Sequence, residues 1–146
     1  MEKDTVIVYT DGGSRGNPGE AAVGFVIKNK KGETVKSYGE TIGIATNNVA
    51  EYMAVLKALQ KLKQLFGKEK TEKMIVEFRM DSELAVKQLS GEYKVENDEL
   101  QKLFMQIWNL KFDFGPMHFT HVPREKNREA DALLNQALDR TSQKLF

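Results

Sequence analysis

Apolar positions change their period along this chain, and each change marks an element. Thr5 to Thr10 is a short β-branched run that reads as a strand. Glu20 to Lys28 (EAAVGFVIK) is apolar and too short for a typical helix, so it reads as a second strand. Asn29-Lys30-Lys31-Gly32 supplies a turn, and Thr34 to Ile44 reads as a third strand. Three strands with short links predict an antiparallel meander. The spacing then becomes helical. Met53, Leu56, Leu59, Leu62, Leu65 and Phe66 trace one face of a long helix that starts near Asn48 and ends at Gly67. Met74 to Met80 is again a strand, so the helix predicts a right-handed crossover and a parallel pairing beside the first strand. Ser82 to Leu89 and Asp98 to Leu110 read as helices and Met117 to Val122 as a fifth strand. Asn127 to about Leu138 reads as a last amphipathic helix. The order βββαβααβα predicts an α/β fold, a mixed five-stranded sheet flanked by helices, in a single domain over residues 1–146.

Composition narrows the chemistry. A formal net charge of +1 does not mark the whole chain as a nucleic-acid binder. Charge is unevenly spread, however: six lysines stand between Lys57 and Lys73 against only Glu69 and Glu72. That run reads either as a solvated helix face or as a phosphate-contacting patch. The absence of cysteine excludes disulfides and thiolate metal sites. No apolar run is long enough to span a bilayer and the N-terminus has no signal-peptide pattern, so a cytoplasmic location without a membrane partner is expected.

The glycines of VIVYTDGGSRGNPG, residues 6–19, invite a phosphate-loop reading. That fingerprint needs a helix after the glycines, whereas EAAVGFVIK reads as a strand. The stretch is therefore expected to be a hairpin connection that follows an aspartate.

Four acids occupy unusual places. Asp11 ends the first predicted strand and Asp81 the fourth, so parallel pairing would bring both to one sheet edge, where open α/β sheets place ligands. Asp11 can equally serve as a turn former and Asp81 as a helix N-cap. Glu51 fits a capping box with Asn48. Asp131 shares a predicted helix face with Leu134 and Leu138, a costly place for a charge unless it is paired or bound to a metal. Four gathered acids would repel one another, and divalent cations resolve that conflict. Carboxylates suit magnesium or manganese. Two such ions about 3.5–4 Å apart can activate water and stabilise a leaving oxygen in phosphodiester cleavage.

Four collinear blocks carry these acids: YTDGGSRGNPG at 9–19, TNNVAEY at 46–52, MDSELAVKQL at 80–89 and VPREKNREADALLN at 122–135. Together they resemble type 1 ribonuclease H. The resemblance implies a metal-dependent endonuclease that cuts the RNA strand of RNA–DNA hybrids with two Mg2+ ions, Mn2+ being the alternative, and leaves 3′-hydroxyl and 5′-phosphate ends. It implies Asp11 as the ligand shared by both ions, Glu51 and Asp81 on one ion and Asp131 on the other. It further implies substrate contacts from Gly12, Gly13, Asn17, Thr46, Asn47, Asn48 and Ser82, with Asn17 and Thr46 in a DNA-phosphate pocket. The asparagines can also be read as turn and cap residues. Bare glycine backbone at 12 and 13 would admit an RNA strand closely, and the wide minor groove of a hybrid shows its 2′-hydroxyls.

Two departures from the bacterial pattern stand out. The loop PREKNREA lacks the usual assisting histidine, and the short VPRE form resembles the archaeal-type branch, in which Arg124 takes the assisting place. An arginine cannot act as a base near neutral pH, so it would hold a phosphate or aid product release. His121 reads as a structural strand residue. The basic protrusion that grips hybrids in the bacterial branch is also missing, which leaves the lysines after Leu56 as an alternative patch. Trp108, at helical spacing from Phe104, is expected in the core. A monomer is expected, and double-stranded RNA is a further candidate substrate. The rival readings are another nuclease of the same superfamily, acting on double-stranded RNA or branched DNA, and a non-catalytic hybrid-binding domain.

Overall fold

The β-branched run at residues 5–10 forms a strand, but the strand does not stop at Asp11. In the computed structural model, which describes residues 4 to 144, β1 spans Thr5–Gly16 and β2 spans Gly19–Asn29. The two pair antiparallel from Val6↔Asn29 to Gly16↔Gly19, so Asp11, Gly12 and Gly13 are ladder residues rather than loop residues. The loop expected after Asp11 shrinks to the turn around Asn17 and Pro18. Local composition hid this, because glycines read as loop until a partner strand satisfies their backbone groups.

β3, Thr34–Ala45, adds to β2 antiparallel and completes the meander. Helix α1, Asn47–Phe66, then crosses over, followed by a single turn α2, Lys68–Thr71, and strand β4, Ile75–Met80. β4 pairs parallel with β1, and β5, Met117–His121, pairs parallel with β4. Between them lie α3, Glu83–Leu89, and α4, Asp98–Lys111. A 3-10 turn, Arg124–Lys126, leads into α5, Arg128–Lys144. The sheet order is β3-β2-β1-β4-β5, the predicted mixed arrangement with β1 at its centre.

Two helix starts differ from expectation, and both differences release an acid. The cap of α1 is Thr46, whose hydroxyl accepts from the Val49 nitrogen at 3.2 Å, so the predicted Asn48–Glu51 box is not what begins the helix. The cap of α3 is Ser82, accepting from the Ala85 nitrogen at 3.2 Å, and not Asp81. A hydroxyl one or two residues past the strand reaches the first free N–H groups, which leaves the carboxylate for another task.

The strand period of two decides what points where. Val6, Val8, Thr10 and Gly12 of β1 are buried on one face, while Tyr9, Asp11 and Gly13 are half-buried on the other. The first face meets α1 in the main core, with Phe25, Ile27, Tyr52, Leu59, Leu62 and Phe78 at its centre. The second face carries a smaller cluster, Ala22 against Leu134, Ala137 and Leu138 of α5. Trp108 is not a core residue: it is 44% exposed on α4 with Phe112 edge-on to it, because Leu100, Leu103 and Ile107 supply the buried stripe of that helix. No described helix is long and apolar enough to cross a membrane.

Candidate active site

The parallel pairing of β1 and β4 brings two acids to one place. Their register ends at Thr10↔Met80, so Asp11 and Asp81 are the next residues of each chain. Asp81 leaves the sheet immediately and turns into α3, whereas Asp11 continues in β1. Glu51 comes from the first turns of α1 and Asp131 from the first turn of α5. All four carboxylates line one open cleft of about 400 Å³, together with Gly12, Gly13, Ser14, Arg15, Asn47, Arg124, Leu134, Asn135 and Leu138. The β-ladder, a crossover helix and the last helix thus converge on residues that lie 120 positions apart in sequence.

Their mutual field is severe. Burial, and then the charges of Asp81, Asp131 and Glu51, push the Asp11 carboxyl from 3.8 up to about 8, against the opposing pull of the Gly12 N–H. That N–H donates to Asp11 Oδ1 at 3.0 Å. Burial pushes Glu51 up to about 7, with Asp81 adding to the rise and the nearby Ser82 hydroxyl opposing it. Glu51 Oε2 is buried without a hydrogen-bond partner. An acceptor left unpaired in such a place costs free energy, so this atom asks for a cation or a donor. Among the described residues no three acids or histidines converge tightly enough to hold an ion by protein ligands alone. The donor set fits magnesium nonetheless, since that ion is usually held by one or two carboxylates and takes its remaining ligands from water and substrate phosphate.

The remaining predicted residues divide. Asp131 does not sit on a buried stripe as expected; it is exposed at the cleft rim, one turn from buried Leu134, and accepts from Asn135 Nδ2 at 3.3 Å. Gly12 is buried, and a methyl group there would overlap the Ala50 carbonyl and come within 2.5 Å of the Glu51 nitrogen. Its missing side chain therefore makes room for α1, while its residue still lines the cleft. Gly13 does face the cleft, where a methyl group would meet only Leu134 and Asn47 at 3.7 and 3.9 Å. Asn47 Oδ1 accepts from both the nitrogen and the hydroxyl of Ser14, and Asn17 Oδ1 accepts from the Asn47 nitrogen. Asn17, Asn47 and the capping Thr46 thus bind the β1–β2 turn to the start of α1, while Asn48 is exposed beside them. Ser82 supports the site from the start of α3. Arg124 lines the cleft; His121, at the end of β5 opposite Met80, does not.

Two residues were not singled out for the site by the sequence reading. Arg15 reaches the cleft wall, its guanidinium on Asp139 of α5 at 2.7 Å. Asn127 is 1% exposed and donates through Nδ2 to the Thr10 carbonyl at 2.8 Å and to Asp81 Oδ2 at 3.4 Å. Its own carbonyl accepts from the Asp131 nitrogen at 3.1 Å. One asparagine thus joins the strand bearing Asp11, the Asp81 carboxylate and the helix bearing Asp131. An uncharged polar residue just before a helix in a sequence offers no sign of such reach.

The lysines between Lys57 and Lys73 lie elsewhere. They follow α1 away from Glu51 at about 1.5 Å per residue. Lys57 pairs with Glu40 and Lys63 with Asp113, while Lys61 lies over Tyr38 and Lys70 over Phe66.

A central parallel pair flanked by an antiparallel meander, with carboxylates at its carboxyl edge, is the ribonuclease H-like class of fold. Comparisons with known proteins agree. Residues 9–137 match the family model described as "Reverse transcriptase-like". Ribonuclease HI of Halobacterium salinarum is 44% identical over 134 residues, which cover 92% of this chain and 64% of that protein. Ribonuclease H of Methylococcus capsulatus is 31% identical over 92% of this chain and 90% of its own length. The crystal structure of LC11-RNase H1 in complex with an RNA/DNA hybrid superposes with a TM-score of 0.88 at 46% identity, covering 93% of this chain and 98% of that one. The chain belongs to the type 1 ribonuclease H family. It spans somewhat less than two thirds of the Halobacterium protein and about a third (36%) of a Mycobacterium tuberculosis relative, the bifunctional protein Rv2228c.

Proposed function

We propose that this chain is an endonuclease that hydrolyses the RNA strand of RNA–DNA hybrids. The observation that carries this reading is the convergence of Asp11, Glu51, Asp81 and Asp131 on one cleft, where burial and the neighbouring charges push the Asp11 carboxyl well above the usual carboxylate range and a cation would relieve them. Two magnesium ions, or manganese in their place, would supply water activation and charge stabilisation at the leaving oxygen. Asp11, held by the Gly12 N–H and central among the acids, is the ligand suited to share both. Glu51, with its unpaired buried oxygen, and Asp81 suit one ion, and Asp131 across the cleft suits the other. Arg124 contributes a fixed positive charge to hold a phosphate or ease product departure; it cannot take up a proton. Gly13, Asn47 and Asn48 offer a bare backbone and amides to the 2′-hydroxyl face of a hybrid. Asn17 and Thr46 already spend their oxygens on α1. Their share in a DNA-phosphate pocket therefore rests on the atoms left over, such as the Asn17 amide nitrogen.

A strand-labelled hybrid incubated with the protein and either Mg2+ or Mn2+ tests the reading, with Asp11→Asn as control. Cleavage confined to the RNA strand, with 5′-phosphate products and loss of activity in the variant, is expected. Undiminished cutting by Asp11→Asn would remove the metal role. Double-stranded RNA and branched DNA in the same assay discriminate the rival nuclease readings. Metal-independent binding without cleavage would indicate a non-catalytic module.

A further inference from the structure

Asp131 needs something other than its side-chain partners to set its position. It is exposed, and among the described residues its one side-chain hydrogen bond is with Asn135 on its own helix. Among the described residues, three exposed polar side-chain contacts tie α5 to the sheet: Lys28–Glu129 at 2.9 Å, Arg15–Asp139 at 2.7 Å and Arg140 to the Gly39 carbonyl at 3.4 Å. Exposed contacts of this kind hold weakly.

Beneath residues 130–134 of α5, two laterally paired strand residues carry no side chain, between Ala22, which packs on Leu134, and Val26, which faces Ala130. Asp11 pairs with Gly24, and Gly24 pairs with Gly39, so the three form one row across β1, β2 and β3. Laterally paired residues point to the same face, here the face that meets α5. A methyl group on Gly24 would overlap the Ala130 carbonyl oxygen and come within 2.9 Å of the Leu134 nitrogen. A methyl group on Gly39 would overlap the Leu133 carbonyl oxygen and come within 2.9 Å of its carbonyl carbon. The helix backbone at 130–134 therefore rests on strand backbone, with no side chain between. Glycine within a strand is otherwise unfavourable, and close approach of another backbone is a recognised reason for it.

Asp131 lies between these contact points, and its target, Asp11, lies in the same row. We propose that Gly24 and Gly39 are positioning residues that set the depth of α5 and thereby the distance of the Asp131 carboxylate from Asp11. This rests on the metal-dependent reading of the cleft. Any side chain on either glycine lifts the first turn of α5 and withdraws Asp131 from the cluster, whereas it leaves Glu51 on α1 in place and reaches Asp81 only through the 3.4 Å contact with Asn127. Gly12 is the counterpart on the other face, seating α1 at Ala50 and Glu51.

The test is Gly24→Ala in the wild-type and Asp131→Asn backgrounds, read by Mn2+ titration calorimetry and by steady-state hybrid cleavage. Circular dichroism checks the fold. Gly39 lies on the edge strand, which can yield, so Gly39→Ala replaces Gly24→Ala if the latter does not fold. The expected result is a loss of about 10-fold or more in Mn2+ affinity and in kcat, with KM little changed. In the Asp131→Asn background the same substitution should cost less than about 2-fold in either measure, because the two changes act through one group. Equal losses in both backgrounds would make the glycines merely structural and overturn the proposal, as would a folded glycine variant that binds and cleaves like wild type. If wild type neither binds Mn2+ nor cleaves hybrid, the reading of the cleft itself fails and the seat's functional role goes with it.

Discussion

Asp11 carries the largest electrostatic burden in the molecule, and its position explains why. It stands inside a paired strand, so the ladder fixes its backbone where the side chain, half-buried in the cleft, faces Asp81, Asp131 and Glu51. Its carboxyl titrates near 8 in the folded chain against 3.8 for the ordinary group. Folding thus favours the protonated form: that contribution is full below about pH 4 and is lost as pH rises through 8. Glu51 acts in the same direction up to about 7. Asp11→Asn should therefore stabilise the metal-free protein at pH 8–9 by on the order of 3 kcal/mol, or about 10 °C in Tm, and by little at pH 4. Thermal melts in chelator across that range check this, and saturating Mg2+ should raise wild type toward the variant. At the same scale, Arg124→Ala should slow turnover about 10-fold while leaving Mn2+ affinity unchanged, because its charge is placed for a phosphate and not for an ion. His121→Ala, outside the cleft, should change turnover less than Arg124→Ala does; the opposite ranking in steady-state kinetics would reassign the assisting role. The identities of the four acids were legible in the sequence because each stands in a recognisable block. Their burdens were not, since those depend on what else faces each carboxylate.

Helices and strands here were legible in number, order and type, because a period of two or of 3.6 survives in a single sequence. Their ends were less so, and the ends carry the chemistry. Asn48 and Glu51 have capping-box spacing, yet Thr46 takes the cap; Asp81 is a good cap residue, yet Ser82 takes it. Several neighbouring residues can cap a helix equally well in isolation, and only packing chooses among them. Joining of elements was equally hidden. Asn127 spans β1, Asp81 and α5 through three backbone and side-chain contacts. Asn127→Ala should cost about 1–3 kcal/mol of stability by leaving the Thr10 carbonyl unpaired in the interior. It should also lower kcat about 10-fold by loosening Asp81, as losses behind a ligand commonly do. Denaturant titration and hybrid cleavage measure the two effects separately.

At the scale of the whole molecule the charges are arranged against the lysine-patch expectation. The cleft lies at the start of α1, while Lys63, Lys68 and Lys70 gather at its end, two of them near Asp113 and one over Phe66. Replacing Lys63, Lys68 and Lys70 together by alanine should leave hybrid affinity within about 2-fold and the salt slope unchanged, whereas a true phosphate contact shifts that slope by about one. Filter binding across a salt series distinguishes the two. What the sequence determined by itself is the local periodicity, the acidic blocks and hence the family and the class of cleft, because these depend on residue type and spacing along the chain. What only the tertiary structure decided is which atoms face one another: that Asp11 sits within the β1 ladder, that a helix backbone fills the space a side chain at Gly12 would take, and that Gly24 and Gly39 seat α5 beneath Asp131. A missing side chain leaves the same mark in a sequence whether it opens space for a turn, for a ligand or for a neighbouring backbone, and only the packed fold shows which of these fills the space.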